Sequence, residues 1–410
     1  MRKLKIKQGI IKNAVLVQKA SFFNAKFQTT LSCSLKDKYV QTELENAEEK
    51  VNYKNKSKKS KIWNTILLVV NFLVIVGIFT YFSLTNGNIY LGELFKLDIA
   101  WIYLLCAVLM FLLNSLIETL KYYQLIKKST GKRRFFLSMK THFLGRYYDN
   151  ITPFGAGGQP FQVFYLNKHD IKGDKATSIP VVKHVFQLVA FLIVSIAVLV
   201  ANIFIPYTRN VIIIVVAAIS ALANGAIVGT IFLLSVSKKI GPAFIIKLLK
   251  FLNKIRIVKN YKVTFFKVCK FVKNYQKSMK SFAKSKLTIF IQIILSILTY
   301  VSFYAIVYFI YLAFLPVSQA AQVSYLTIFS CMILCDLTAS IMPLPGGSGL
   351  AEISFDALFK NWFASNVFTW AMLIWRSLTY FIYIFIGGVQ IFSSYIKSLI
   401  IKRKQNINKK

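Results

Sequence analysis

The chain has 410 residues, 56% of them hydrophobic and 15% aromatic, with a formal net charge of +38 and a mean hydropathy of +0.55. A water-soluble domain needs a polar surface that this composition does not supply, so the bilayer is the expected solvent. The charge would suit nucleic acid, yet the basic residues lie between apolar spans rather than on one face of a soluble fold, and nucleic acid is not an expected partner.

Residues 1–61 carry fifteen Lys/Arg and five acids and never assemble the apolar core of a secretory signal. They are expected to form a basic cytoplasmic tail, with the Lys and Asn excess at 52–61 read as compositional bias. Windows near the length needed to cross the hydrocarbon core follow at 62–84, 97–120, 176–205, 211–236, 287–315, 320–342 and 366–392. Lys/Arg retention on the cytoplasmic side orients them. Residues 121–140, with seven basic residues and no acid, are expected inside, as is 237–286 with fifteen and none. Residues 85–96, 206–210 and 316–319 carry little charge and are expected outside. Phe244, Leu248, Phe251, Leu252, Ile255 and Val258 recur at helical spacing among lysines, which fits a helix on anionic headgroups or a linker helix covering the bundle.

The basic tail 397–410 also reads as cytoplasmic, and seven crossings from an inside N-terminus would leave it outside. One more crossing is needed, and the only segment available is 349–363, short, acidic and preceded by a Pro/Gly cluster. The expectation is therefore an all-α, polytopic membrane helix bundle of about seven to eight spans, occupying 62–396, in the cell membrane with both termini cytoplasmic.

Two segments interrupt this pattern. Residues 146–162 read Arg-Tyr-Tyr-Asp-Asn-Ile-Thr-Pro-Phe-Gly-Ala-Gly-Gly-Gln-Pro-Phe-Gln, and 341–352 read Ile-Met-Pro-Leu-Pro-Gly-Gly-Ser-Gly-Leu-Ala-Glu. Proline removes a backbone donor and glycine admits positive φ, so each break frees polar main chain that lipid tails cannot satisfy. One broken, re-entrant segment in each half, entering from opposite sides, is the pattern of an inverted-repeat transport fold. A helix restarting after Gly158 or Gly349 would point its positive end at a phosphate. The bland alternative is a kinked helix packed for stability.

Ionisable residues at membrane depth are costly and draw attention. Arg146 and Asp149 flank the first break, Lys183 and His184 begin the next span, and Asp336, Glu352 and Asp356 surround the second break. Arg376 lies inside the last span and needs an acid, with Glu352 or Asp336 the natural choice. Glu118, near a predicted helix end, could snorkel, and His184 reads as a packing residue. The candidate lipid-binding set is Arg146, Asp149, Asn150, Thr152, Pro153, Gly157, Gly158, Gln159, Gln162, Lys183, Asp336, Pro343, Pro345, Gly346, Gly347, Gly349, Glu352, Arg376 and Tyr380. Cys33, Cys106, Cys269, Cys331 and Cys335 show no CxxC pair or histidine cluster, so no metal, cofactor or disulfide framework is expected. Cys331 and Cys335 read as packing residues on one helix face.

On Asn150 to Gln162 and Pro343 to Glu352, with Trp375-Arg376 and then Tyr380, the sequence resembles the lysylphosphatidylglycerol-synthase transmembrane family, also called UPF0104 or flippase-like proteins. The resemblance covers about 62–391. It implies a flippase that carries aminoacylated phosphatidylglycerol to the outer leaflet, with resistance to cationic antimicrobial peptides as the consequence. In such relatives a further cytoplasmic domain transfers lysine from tRNA to the lipid. After Phe392 only a basic tail follows here, and some branches carry an acid where this chain has Gln159. Three readings follow: a lipid transporter or lipid-binding module, a phosphatidylglycerol lysyltransferase or a component of one, and an assembly partner for other membrane proteins. The expected ligand is an anionic or aminoacylated phospholipid, and a homo-oligomer or a separate synthase subunit is compatible with the sequence. No P-loop is present to couple the chain to ATP.

Overall fold

The computed structural model describes residues 97–152, 155, 157–171, 173–205, 208–236, 285–315, 323–340, 342 and 344–407, with isolated residues 77, 80, 276 and 282. Every described element is a helix: α1 (Trp101–Thr130), α2 (Phe135–Ile151), α3 (Gly158–Lys168), α4 (Gly173–Phe204), α5 (Val211–Val236), α6 (Lys286–Ala313), α7 (Tyr325–Ala339), α8 (Leu350–Phe359), α9 (Ser365–Arg376) and α10 (Ile382–Ile407). Short 3₁₀ turns occupy Pro345–Gly347 and Lys360–Trp362, and a π turn, Ser377–Phe381, joins α9 to α10. Among the described residues five helices are long and apolar enough to cross a membrane, namely Trp101–Thr130, Lys175–Phe204, Val211–Thr230, Lys286–Ala313 and Val367–Ser394, and α7 is a shorter apolar helix. The chain is thus an all-α, multi-pass membrane protein. The predicted span 62–84, apart from helical residues 77 and 80, and the amphipathic run within 237–286 lie outside the described residues.

The helices are turned inside out relative to those of a soluble protein. On α1, Trp101, Ile102, Leu105, Leu109, Leu112 and Leu116 are exposed while Asn114, Glu118 and Lys121 are buried. Hydrocarbon covers the first group at no cost, whereas the second must find partners within the protein. Asn114 does so across the α1/α6 interface, donating to the Thr299 carbonyl at 2.8 Å and to Ser302 Oγ at 3.0 Å. Farther along, Gln292 Nε2 donates to the Lys121 carbonyl at 3.1 Å and to Gln124 Oε1 at 2.7 Å. Such interhelical hydrogen bonds replace the hydrophobic drive that lipid does not provide.

Two predicted boundaries move. The span expected to end at residue 120 runs to Thr130, because Tyr122, Leu125 and Ile126 continue a buried face past Lys121. It stops at Gly131, whose φ of 74° places it in the left-handed region that ends helices, with its N–H on the Lys127 carbonyl at 2.8 Å. Lys121 is therefore an interior residue of α1, not the start of a loop. The last predicted span, 366–392, is interrupted by the π turn, and its helix continues through Ile407 into the segment expected as a tail.

The densest packing surrounds α7. Cys331, Met332, Ile333, Leu334 and Cys335 are all fully buried, which agrees with the packing role expected for the two cysteines. Against them, Phe355 of α8 stacks on Trp375 of α9 with ring centroids 4.4 Å apart. The α7/α8 pair is also joined by a hydrogen bond between Thr338 Oγ1 and Ser354 Oγ at 2.6 Å. The second break is thus held in a rigid frame.

Candidate functional site

The first break begins where α2 ends. Thr152 adopts extended backbone, its Oγ1 donates to the Tyr148 carbonyl at 2.7 Å, and the same oxygen accepts the Gly157 N–H at 2.9 Å. Asp149 Oδ1 accepts the Gly158 N–H at 2.7 Å and so caps α3 from nine residues back. A Cβ on Gly158 would lie 2.5 Å from that carboxylate oxygen, so a side chain there would displace the cap. Gln162, one turn into α3, is buried and donates to the Thr141 carbonyl at 3.2 Å, tying α3 back to α2.

At the second break Gly346, Gly347 and Gly349 all have positive φ, of 65°, 66° and 97°. Pro345 opens the 3₁₀ turn and is buried. The Gly349 N–H donates to Glu352 Oε2 at 2.7 Å, and the other oxygen of that carboxylate meets Arg376 Nη2 at 2.6 Å. Glu352 is 0% exposed and Arg376 5%, so the pair is buried within the bundle. One acid thus caps α8 and neutralises the arginine of the last span, the partner anticipated from sequence.

The π turn joins the two breaks. Tyr380 donates its hydroxyl to the Asn150 carbonyl at 2.8 Å, and Asn150 Nδ2 returns a bond to the Tyr380 carbonyl at 3.2 Å. The Tyr380 ring also lies where a Cβ on Gly346 would sit, 2.2 Å away. A π turn inserts an extra residue into the helix and commonly marks a functional position. Here it aims one tyrosine at both interruptions.

Between the breaks lies a cavity of about 430 Å³. Of the sequence-predicted residues, Arg146, Asp149, Asn150, Gln159, Gln162, Lys183, Asp336, Gly346, Gly347, Arg376 and Tyr380 line it. Thr152, Gly157, Gly158, Pro345, Gly349 and Glu352 shape its walls from behind, through the caps and turns just described. Pro153 and Pro343 lie outside the described residues. His184 lines the cavity too, whereas Asp356 is partly exposed on α8 and pairs with Lys360 at 3.9 Å. Asp336 accepts the Tyr304 hydroxyl at 2.6 Å.

Sequence reasoning undervalued one cluster. Glu118, set aside as a snorkelling residue, is buried and lines the cavity. Its Oε1 pairs with Lys121, its Oε2 pairs with Lys183 at 2.6 Å, and His142 Nδ1 stands 3.7 Å from that second oxygen. The usable signal was the continuation of the apolar pattern beyond Lys121, which places both charges mid-helix.

Arg146 is arranged differently from these. Its guanidinium lies over the rings of Phe303 and Tyr383, 5.7 and 5.2 Å from their centroids. No carboxylate forms an ion pair with it among the described residues, and its buried Nε, like that of Arg376, has no hydrogen-bond partner there. The expectation that bare helix N-termini would face a phosphate is corrected by the caps. Asp149 and Glu352 already occupy the amides of Gly158 and Gly349, and a carboxylate at an N-terminus repels a second anion. Arg146, rather than the main chain, is the free positive element of the site.

Residues 62–387 match the family described as "Lysylphosphatidylglycerol synthase TM region". The chain belongs to this family. It is also 39% identical over 66 residues to a UPF0104 membrane protein of Archaeoglobus fulgidus, a stretch covering 16% of this chain and 20% of that protein. The chain therefore spans about a fifth of the length of that curated relative. Both likenesses agree with the resemblance carried by the two Pro/Gly motifs.

Proposed function

We propose that this member of the synthase transmembrane family moves a phospholipid within the bilayer by taking its headgroup into the cavity between the two breaks. The observation that carries this reading is Arg146, a guanidinium lining the cavity with no carboxylate on it among the described residues. A buried guanidinium without a directly paired anion is costly, and a lipid phosphate would supply that pair with the bidentate geometry that guanidinium favours. Cationic Arg146 and Lys183 reach the cavity from α2 and α4, and Asp336 reaches it from α7. That polarity suits a headgroup carrying both phosphate and ammonium, such as aminoacylated phosphatidylglycerol. A lipid can enter such a site sideways while its tails stay in hydrocarbon, against the exposed apolar faces of the outer helices. The setting proposed is the cell membrane with both termini cytoplasmic.

The test is reconstitution in vesicles with fluorescent phosphatidylglycerol, reading the leaflet distribution by dithionite quenching. The wild type is expected to equilibrate probe between leaflets, while Arg376→Ala and Gly158→Leu insert but return the rate to that of protein-free vesicles. Normal redistribution in both variants rejects the reading.

A further inference from the structure

The Glu118 cluster holds more positive charge than its acid can neutralise. Lys121 Nζ and Lys183 Nζ both pair with the one carboxylate of Glu118, and all three lie in the interior. Buried charges persist when they are matched, so two ammonium groups on one carboxylate leave one charge uncompensated. Lys183 has side-chain exposure of 15% and faces the cavity, where water can solvate it. Lys121 is 0% exposed. Its Nζ has two acceptors among the described residues, Glu118 Oε1 and Gln187 Oε1. A neutral amine has two N–H groups and is satisfied by two acceptors, whereas an ammonium would have a third N–H with none. Beyond these lysines, the titratable groups facing Glu118 among the described residues are Tyr122 from α1, His142, Arg146 and Asp149 from α2, Tyr300 from α6 and Tyr383 from α10. Asp149 offsets the charge of Arg146 at longer range without forming an ion pair with it, so the shared carboxylate of Glu118 leaves the local imbalance at the two lysines.

We propose that Glu118, Lys121 and Lys183 form a proton-exchange site linked to anion binding in the cavity, with Lys121 the residue that gains and loses the proton. The proposal rests on the reading of the cavity as a headgroup site. With the cavity empty, Lys183 neutralises Glu118 and Lys121 is a neutral amine. When a phosphate enters, the Lys183 ammonium turns from Glu118 to the phosphate. Glu118 is then left with Lys121 alone, and an N–H bond forms at Lys121 Nζ with a proton given up by buffer in the water entering the cavity. The cluster is neutral in both states: one carboxylate with one ammonium, or one carboxylate and one phosphate with two. Departure of the headgroup reverses each step and returns the proton to solvent. If the cavity opened to the two sides in turn, a proton gradient would then drive lipid movement without a nucleotide.

The experiment is calorimetric titration of the full chain in detergent with dihexanoyl phosphatidylglycerol, at one pH, in two buffers of different ionisation enthalpy. The difference in heat between buffers counts the protons exchanged. The wild type is expected to take up about one proton per lipid bound. Lys121→Met, which removes the site, and Lys121→Arg, whose guanidinium keeps its proton, are expected to bind the lipid with no proton uptake. Wild-type binding with a buffer-independent heat overturns the proton-exchange proposal and leaves the headgroup reading standing, as does full uptake in either folded variant. Absence of binding to the wild type, checked by native mass spectrometry, overturns both.

Discussion

The two breaks have the same ingredients, a helix, a Pro/Gly interruption, a capping acid and a nearby arginine, yet the charges are disposed oppositely. At the second break a single carboxylate, Glu352, caps Gly349 and also binds Arg376. At the first, Asp149 caps Gly158, and Arg146 rests on aromatic rings without an acid of its own. The second is closed upon itself and fixes the frame, whereas the first leaves a cation without a paired acid among the described residues. On the reading proposed above, similar motifs in one chain divide the labour of holding a site together and of binding in it.

Glu352 is expected to show the largest effect. Its replacement by Ala strips the buried arginine of its partner and α8 of its cap, and breaking a buried pair costs about 3–5 kcal/mol. The thermal midpoint in detergent should fall accordingly. An unchanged midpoint would mean that Arg376 finds another acid and that the second break is not locked. Gly346→Ala comes next. Its φ of 65° and the Tyr380 ring 2.2 Å from a built Cβ leave no room, and the left-handed conformation alone costs an alanine about 1–2 kcal/mol. The displaced ring must also release the Asn150 carbonyl, so the variant should lower both thermal stability and lipid redistribution. Retained redistribution would separate the tyrosine clasp from function.

The two breaks, and the need of Arg376 for an acid, were legible in the sequence, whereas the contrast between them was not. Two Pro/Gly segments stand out because nothing else in the apolar spans carries such runs, and an arginine ten residues into an apolar helix requires an acid. What was not legible depends on folding in three dimensions. A hydropathy window stops at the first close charges, so Lys121 read as the edge of a loop, although its neighbours Tyr122, Leu125 and Ile126 are buried. Its role follows from Lys183 and Gln187 on α4, which the helix packing brings alongside. The caps were hidden for a related reason. Asp149 reaches Gly158 across a nine-residue separation that only the folded turn closes, so the expectation of bare amides for a phosphate could not be refined from spacing. Tyr380 entered as part of a family pattern, and its reciprocal bonds with Asn150 give that pattern a physical cause.

A milder loss is expected at the cap of the first break. Asp149→Ala deletes the acceptor for Gly158 and should cost about 0.5–2 kcal/mol, as loss of an N-cap does elsewhere. Asp149→Asn retains an acceptor oxygen and should cost less. Equal losses in the two variants, measured by thermal unfolding, would show that the charge rather than the hydrogen bond supports the break.

The smallest effect on stability, and the sharpest test of the comparison, belongs to Arg146. Replacement of a buried charge by an apolar side chain of similar reach is destabilising when it strands a partner, and neutral or favourable when no partner is left behind. Arg146→Met strands no paired acid among the described residues, and Met can keep the contacts with Phe303 and Tyr383. Its unfolding midpoint should therefore stay at or above that of the wild type. Arg376→Met, by contrast, strands Glu352 and should fall well below it. Lipid binding should respond the other way: a lost charge-assisted pair with phosphate, worth about 1.5–3 kcal/mol, corresponds to a tenfold or greater loss of affinity in Arg146→Met. Should Arg146→Met unfold as early as Arg376→Met while binding lipid normally, Arg146 would be a structural residue, and the first break would be as closed as the second.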